Sequence, residues 1–350
     1  MDEPAPPKPL AVTAITQGRD APSTRFRVSA LVEPLARNGV TVRELHPTVS
    51  SYPPRSHIVR PAWGLAALAS RLPAVAASRK ADVVLLQREM VSTFATLERF
   101  TGRPRVLDVD DAVFLFRNGK AAAAIAGRCD LVLCGNAYLQ DWFRQHCGWT
   151  EILPTAVDPR RYCPPAIHPG PAAPVIGWTG SSSGFPFLSS IEPSLARVLS
   201  LRPAARLRVV ADQAPDLPLI PRERLDFVRW SPAAEIPAIQ GMSVGLMPLP
   251  DTPWTRGKCG LKMLLYLSCG VPAVASPVGM NRDVIAAGPG ALGATSEDEW
   301  VDAILGLLDA PEQARAAGLE GRRRVAQKYG VDRVAADAAR FLRQVAGGRS

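Results

Sequence analysis

At 350 residues with 47% hydrophobic content, the chain is long enough for two domains of ordinary size, which excludes wholesale disorder. Its formal charge of +9 comes mostly from arginine and suits anionic ligands, acidic lipid or simply a solvated surface. There is no RNA-binding aromatic signature and no zinc-finger spacing, so nucleic acid is not an expected partner.

The six cysteines form no C-x-x-C pair, and Cys129, Cys134 and Cys269 sit in or beside apolar segments, a pattern of reduced, buried thiols. The opening "MDEPAPPKPL" lacks the basic start and apolar run of a signal peptide. "WGLAALASRLPAVAAS" is interrupted by Arg71 and Pro73 and is too short to span a bilayer. The expectation is a cytoplasmic protein.

In chain order, "LAVTAI" reads as a buried strand, "STRFRVSALVEPLARNG" as one amphipathic helix closed by Gly39, and "VTVREL" as a second strand. Further strands are expected at "DVVLLQ", "RVLDV", "DLVLC" and "EILP", with helices between most of them. The proline-rich "CPPAIHPGPAAP", residues 163–174, reads as a linker. The alternation then restarts with "PVIGW", "RLRVV", "DFVRW", "SVGLMPL" and "VPAVAS", and the chain is essentially helical from Ser296. This pattern predicts an α/β protein of two Rossmann-like, doubly wound domains facing a cleft. The expected boundaries are 1–165 and 166–330, with 331–350 a terminal helix that crosses back to the first domain. In such sheets ligands sit beyond the carboxyl ends of the strands, so the residues that follow each strand are the ones to read.

After the first strand, Gly18 precedes a helix start that Ser23 or Thr24 can cap, with Arg25 and Arg27 near its first turn. These read either as anion or polyol contacts or as solvated arginines. "VLDVDDAVF" ends a strand with Asp108, Asp110 and Asp111. D-x-D spacing can hold a divalent ion, and the motif distantly resembles an aspartyl-nucleophile pair. The preferred reading is a contact to sugar hydroxyls or a helix cap. The four histidines are scattered and form no zinc spacing.

After "PVIGW", Gly180 and Gly184 bracket Ser181, Ser182 and Ser183, a small-residue turn that either cradles phosphate or merely caps a helix. After "SVGLMPL" comes "PWTRGKCGLKMLLYLSCG", where Arg256, Lys258 and Lys262 crowd the start of a helix. Cations are disfavoured at a helix N-terminus unless an anion lies between them and the unpaired N–H groups. Two phosphates suit three such side chains, which gives the cluster a purpose; solvated side chains are the alternative.

The segment "MPLPDTPWTRGKCGLKMLLYLSCGVPAVASPVGMNRDVI" resembles the donor site of family 4 glycosyltransferases of the GT-B fold, in a bacterial subgroup with a PW-T-x-G-K-x-G-x-K motif. "PSTRFRV", "DVVLLQRE", "VLDVDDAVF", "CDLVLCGNAYL", "ILPTAVDPRRY", "PVIGWTGSSS" and "VRWSP" extend the resemblance along most of the chain.

The resemblance implies a retaining, metal-independent transferase whose co-substrate is a UDP- or GDP-linked sugar, with no other cofactor. Its acceptor would be a glycan, a lipid-linked molecule or a secondary metabolite, with peripheral contact to the inner face of a membrane. Arg256, Lys258 and Lys262 would neutralise the departing diphosphate, the kind of electrostatic stabilisation that can dominate catalysis. Gly180, Ser181, Ser182, Trp254, Gly260, Tyr266, Ser276, Val278 and Gly279 would line the donor site. Gly18, Arg25, Arg27, Asp110, Asp111 and Asn136 would face the acceptor. Tyr266 is expected either near the base or in the core.

The sequence departs from the family at Gly257 and Leu265, where two glutamates are usual; Leu265 cannot accept a ribose hydroxyl, leaving Asp251 or Asp283 as substitutes. A catalytically silent relative that binds nucleotide sugar or an active partner is the alternative reading. A nucleotide-sugar epimerase is a third.

Overall fold

The computed structural model describes residues 9–54, 56–166 and 173–348. Residues 167–172 of the expected linker and nearly all of the opening "MDEPAPPKPL" lie outside the described residues.

The chain divides into two compact units. The first comprises Met1–Ala156, Gly257–Cys259 and Val331–Ser350; the second comprises Val157–Arg256 and Gly260–Gly330. The sheet of the first unit contains β1 (Leu10–Ile15), β2 (Val40–Leu45), β3 (Val83–Gln87), β4 (Arg105–Val109), β5 (Leu131–Cys134) and β6 (Thr150–Ile152). The order is β2-β1-β3-β4-β5-β6 and every pairing is parallel, Val12 lying opposite both Val42 and Val83. Helices cover the faces, so β3, β4 and β5 are buried along their whole lengths; β3 and β5 read as apolar runs, broken only by Gln87 at the end of β3, while β4 also buries Arg105 and Asp108. The terminal helix Val331–Ala346 completes this core with Val334, Ala338, Phe341 and Leu342.

The second unit repeats the plan with β7 (Val175–Thr179), β8 (Arg206–Ala211), β9 (Leu225–Arg229), β10 (Val244–Met247), β11 (Ala273–Ala275) and β12 (Ala291–Gly293). Its order is β12-β11-β10-β7-β8-β9, again all parallel. Trp178, Leu195, Leu207, Leu246 and Ile304 are among the residues of its core. In each sheet the strand order reverses once, between β1 and β3 in the first and between β7 and β10 in the second. Those switch points are where doubly wound sheets bind ligands.

Two local expectations are corrected. The single helix expected over residues 23–39 is broken into Pro22–Arg27, a 3₁₀ turn Ser29–Leu31 and Val32–Arg37, because Val28 leaves helical geometry at φ −122°, ψ −66°. Neither Ser23 nor Thr24 caps its start: Ala21 holds the cap position, and buried Thr24 donates to Gln87 Oε1 at 2.7 Å. The edge strand β12 is not predicted by the sequence, since its three residues "ALG" carry no periodic signal.

Candidate functional site

In the second unit the site grows from the β7–β10 switch point. β7 ends in Trp178 and Thr179, and the Gly180–Gly184 turn follows. Lys262, in the first turn of helix Leu261–Ser268, places its ammonium 3.9 Å from the centroid of the buried Trp178 ring. A Cβ on Gly180 would meet Lys262 Nζ at 2.7 Å and the Trp178 ring at 2.7 Å, so only glycine allows this approach. The turn and one of the three cations are thereby brought together.

Ser182 is already engaged. Its N–H and hydroxyl donate to the two carboxylate oxygens of Asp212 at 2.6 and 2.8 Å, so an internal carboxylate takes up the donors that the phosphate-cradle reading assigned to it. Ser181 and Ser183 share a hydroxyl–hydroxyl hydrogen bond at 2.7 Å and are exposed.

Beyond β10, the Thr252 and Thr255 hydroxyls bond each other at 2.9 Å and tie the turn Pro253–Arg256, where Trp254 is half-buried. Arg256 donates from Nε and Nη2 to the two oxygens of Asp251 at 2.6 and 3.2 Å. That hydrogen bond holds the Asp251 carboxyl below its ordinary range. After β11, Ser276 is buried and its Oγ accepts from Leu249 N at 3.0 Å, tying the ends of β10 and β11 together. Val278 N donates to Ser276 O at 2.8 Å, closing the turn. Gly279 has φ +54°, and a Cβ there would meet the Arg256 carbonyl at 2.6 Å, so this turn packs directly on the backbone of Arg256.

Gly260, at φ +66°, starts the Leu261–Ser268 helix with no side-chain cap. Buried Asn281 donates from Nδ2 to Ser276 O at 3.1 Å, while its Oδ1 lies buried without a hydrogen bond, 3.5 Å from where a Gly260 Cβ would stand.

Tyr266 must be moved from the site to the core. It is fully buried, its hydroxyl accepts from Thr179 N at 2.9 Å and donates to Leu246 O at 3.3 Å, and its ring fills the space beside Gly245. Leu265, at one usual glutamate position, is buried as well.

The first unit holds a separate polar group beyond β4. Lys258 donates to Asp111 Oδ1 at 2.8 Å, and Arg88 Nη1 lies 3.3 Å from Asp111 Oδ2 and 3.8 Å from Asp110 Oδ1. Arg88 occupies the left-handed region at φ +60°, the position at which the chain leaves β3. Burial pushes the Asp110 carboxyl up to about 6, against the opposing attraction of Arg88. Asn136 accepts from Leu139 N at 3.0 Å, capping helix Ala137–Phe143, and donates to Lys258 O at 3.2 Å. At Gly257 a Cβ would meet Ala112 N at 2.8 Å and Leu139 at 3.2 Å, so no glutamate fits the other usual position.

Arg27 departs from the expected role. Its buried guanidinium bonds both oxygens of Asp108, with Nε–Oδ2 at 2.8 Å, and also reaches Leu153 O and Thr155 Oγ1 at 3.0 and 3.3 Å. It braces the ends of the strands instead of facing a ligand, and Asp108 is its counter-ion. Gly18 takes φ +140°, and Arg25 lies over the Phe26 ring at 5.1 Å. Sequence reasoning missed Arg88, Asp212 and Asn281. Only Arg88 carried a signal, as the residue directly after a strand beside the switch point. Among the described residues no three His, Cys, Asp or Glu side chains converge as a metal site, and all six cysteines are free.

Two doubly wound units, each built on an all-parallel six-stranded sheet, form a GT-B architecture. The chain is similar to the sucrose-phosphate synthase of Thermosynechococcus elongatus, at 16% identity over 96% of this chain and 98% of that one, with a TM-score of 0.71. It is similar to Anabaena HepE, solved with UDP and glucose, at 15% identity over 95% and 99% of the two chains and a TM-score of 0.71. WaaG, a glycosyltransferase of lipopolysaccharide biosynthesis, gives 16% identity over 96% and 100%, with a TM-score of 0.67. Identities this low establish the fold and not the reaction. Residues 174–310 match the family model for glycosyl transferases group 1. No curated protein matches the sequence significantly.

Proposed function

We propose that this chain is a retaining glycosyltransferase of family 4 type that moves a hexose from a UDP- or GDP-linked donor to a glycan, lipid-linked or secondary-metabolite acceptor in the cytoplasm. The observation that carries the reading is the approach of Lys262 to Gly180 at the β7–β10 switch point, inside the segment that matches the glycosyltransferase model. A cation beside a glycine turn at that place can receive a diphosphate. HepE, whose structures hold UDP and UDP-glucose, supports a uridine donor.

In this reading Arg256 and Lys258 rest on Asp251 and Asp111 until the donor's phosphates replace those carboxylates. Lys262 neutralises the diphosphate as the glycosidic bond breaks, and the departing phosphate takes the acceptor proton, so that no protein nucleophile is needed. Asp110, Asp111 and Asn136 orient acceptor hydroxyls. Gly257 and Leu265 stand where the resemblance expects two glutamates, one on the sugar and one on the ribose; Leu265 leaves the ribose without its partner, and Asp251 or Asp283 takes that part. No metal or further cofactor enters the scheme.

The test is incubation of the purified chain with UDP-glucose, UDP-N-acetylglucosamine and GDP-mannose, followed by NMR of the anomeric products. Release of nucleoside diphosphate with transfer of the sugar to water, the free sugar appearing first in the donor's own anomeric configuration before it mutarotates, supports the reading. An epimerised donor sugar indicates an epimerase. Donor binding with neither outcome indicates the silent relative.

A further inference from the structure

The helix Arg60–Ser78 of the first unit is apolar on both faces: it buries Ala67, Ala74 and Val75 beside Arg71 and Ser78. Its one internal charge, Arg71, faces inward, donating to Met90 O at 2.7 Å from Nη2, to Thr16 O at 2.7 Å and to Ser51 Oγ at 2.7 Å. Its outward stripe is Ala62, Leu65, Ala66, Ala69, Leu72 and Ala76, spaced three and four residues apart and carrying no polar side chain. Leu65 is 73% exposed and Leu72 56%, and Ile58, just before the helix, is 90% exposed. A solvent-facing helix normally shows the opposite polarity, and a contiguous apolar patch of this kind marks a docking surface.

Charge decides the occupant. No Asp or Glu occurs from His46 to Ala81. The far end of the helix carries exposed Arg79 and Lys80, and Arg79 donates to the carbonyl of Phe100 at 3.3 Å. Phe100 is itself 45% exposed, with the Arg99 guanidinium 4.5 Å from its ring. A second copy of the chain on the same stripe would bring like charges together with no carboxylate in the segment to pair them. An apolar stripe bordered by cations and an exposed aromatic fits a helix lying in the headgroup region of an anionic bilayer. No helix among the described residues is long and apolar enough to cross a membrane, so a bilayer contact by this helix would be interfacial.

We infer that the outward face of Arg60–Ser78, with Ile58, Phe100, Arg79 and Lys80, is a peripheral docking surface for anionic phospholipid. The surface gives a location to the membrane contact that a lipid-linked acceptor would call for, but it does not depend on the donor chemistry.

The test is co-sedimentation of the full chain with vesicles of phosphatidylcholine alone and of phosphatidylcholine mixed with phosphatidylglycerol. The wild type is expected to bind only the anionic vesicles and to lose binding as salt rises. Leu65→Glu combined with Leu72→Glu is expected to weaken binding roughly tenfold or more, and Arg79→Ala or Lys80→Ala roughly fivefold each. Both leucines are exposed, so the melting temperature and any nucleotide-induced shift should stay at the wild-type value, which separates failure of this surface from failure of the donor site. Wild type that ignores anionic vesicles, or variants that bind them equally well, would overturn the inference. So would a wild-type dimer that the glutamates dissolve without any vesicle binding.

Discussion

Lys262 Nζ stands 3.9 Å from the centroid of the buried Trp178 indole, and this contact fixes an ammonium group beside Gly180. A cation on an aromatic face, partly shielded from water, contributes about 0.5–2 kcal/mol. The indole thus holds a long, flexible side chain in one place at the switch point of the sheet. Gly180→Ala should disturb that placement, since its Cβ has nowhere to go between the ring and the ammonium. We expect kcat/KM to fall roughly tenfold to a hundredfold, with about 1–3 kcal/mol lost in urea unfolding. Unchanged kinetics in a folded Gly180→Ala protein would separate Lys262 from catalysis.

The buried Arg27–Asp108 pair should matter to stability and not to substrate recognition. Removing one partner leaves an uncompensated charge in the interior, which costs about 3–5 kcal/mol. Arg27→Met is expected to lose that amount in urea unfolding while leaving the donor KM unchanged.

Asp110 gives stability a pH dependence with a definite sign. Its carboxyl titrates near 3.8 when exposed and at about 6 in the fold, mainly because of burial. Between those values the unfolded chain has released a proton that the folded chain still holds. Stability from this group therefore falls as pH rises through the window and levels off above about 6. Asp110→Asn should remove the fall, gaining on the order of 3 kcal/mol at neutral pH relative to wild type. Parallel unfolding curves for the two proteins across that range would contradict the account.

Tyr266→Phe tests the reassignment of this tyrosine to the core. Its hydroxyl joins Thr179 N to Leu246 O, linking the ends of β7 and β10. Loss of these bonds should cost about 1–3 kcal/mol of stability and leave nucleotide affinity within twofold or so. A selective loss of affinity at unchanged stability would return Tyr266 to the donor site.

Placing glutamates where the family 4 resemblance expects them should not build the site that the resemblance implies. Leu265→Glu places a carboxylate in an apolar, buried position, and Gly257→Glu collides with Ala112 and Leu139. Each is expected to lose several kcal/mol in thermal or urea unfolding, and neither to tighten nucleotide binding.

Most strands of both sheets were legible because parallel strands covered on two faces keep a continuous apolar stretch, as Val83–Leu86 and Leu131–Leu133 do. Strand β12 was not, since "ALG" is too short and too small to differ from a loop. Nothing in the local sequence marks the break at Val28, which is buried together with Phe26, Arg27 and Leu31. Within the site, Lys262 and Gly180 could be paired in advance because each follows a strand beside the switch point. Arg27 could not be placed: near a helix start an arginine reads as exposed, and only Asp108, far along the chain, reveals that it is buried. The same distance hid the Ser182–Asp212 contact, where a carboxylate after β8 occupies a turn after β7. In the sequence Tyr266 reads equally as a base contact or a core residue, because its space is set by Gly245 on β10.

The most direct measurement is the melting temperature of wild type and Lys262→Ala with UDP, GDP, ADP and dTDP at millimolar concentration. A ligand that binds only the folded chain raises its stability in proportion to the logarithm of its concentration over Kd. The account predicts a clear rise with one nucleotide, UDP before the others, that is lost or strongly reduced in Lys262→Ala. No rise with any nucleotide, or an equal rise in the variant, would contradict a diphosphate site built around Lys262.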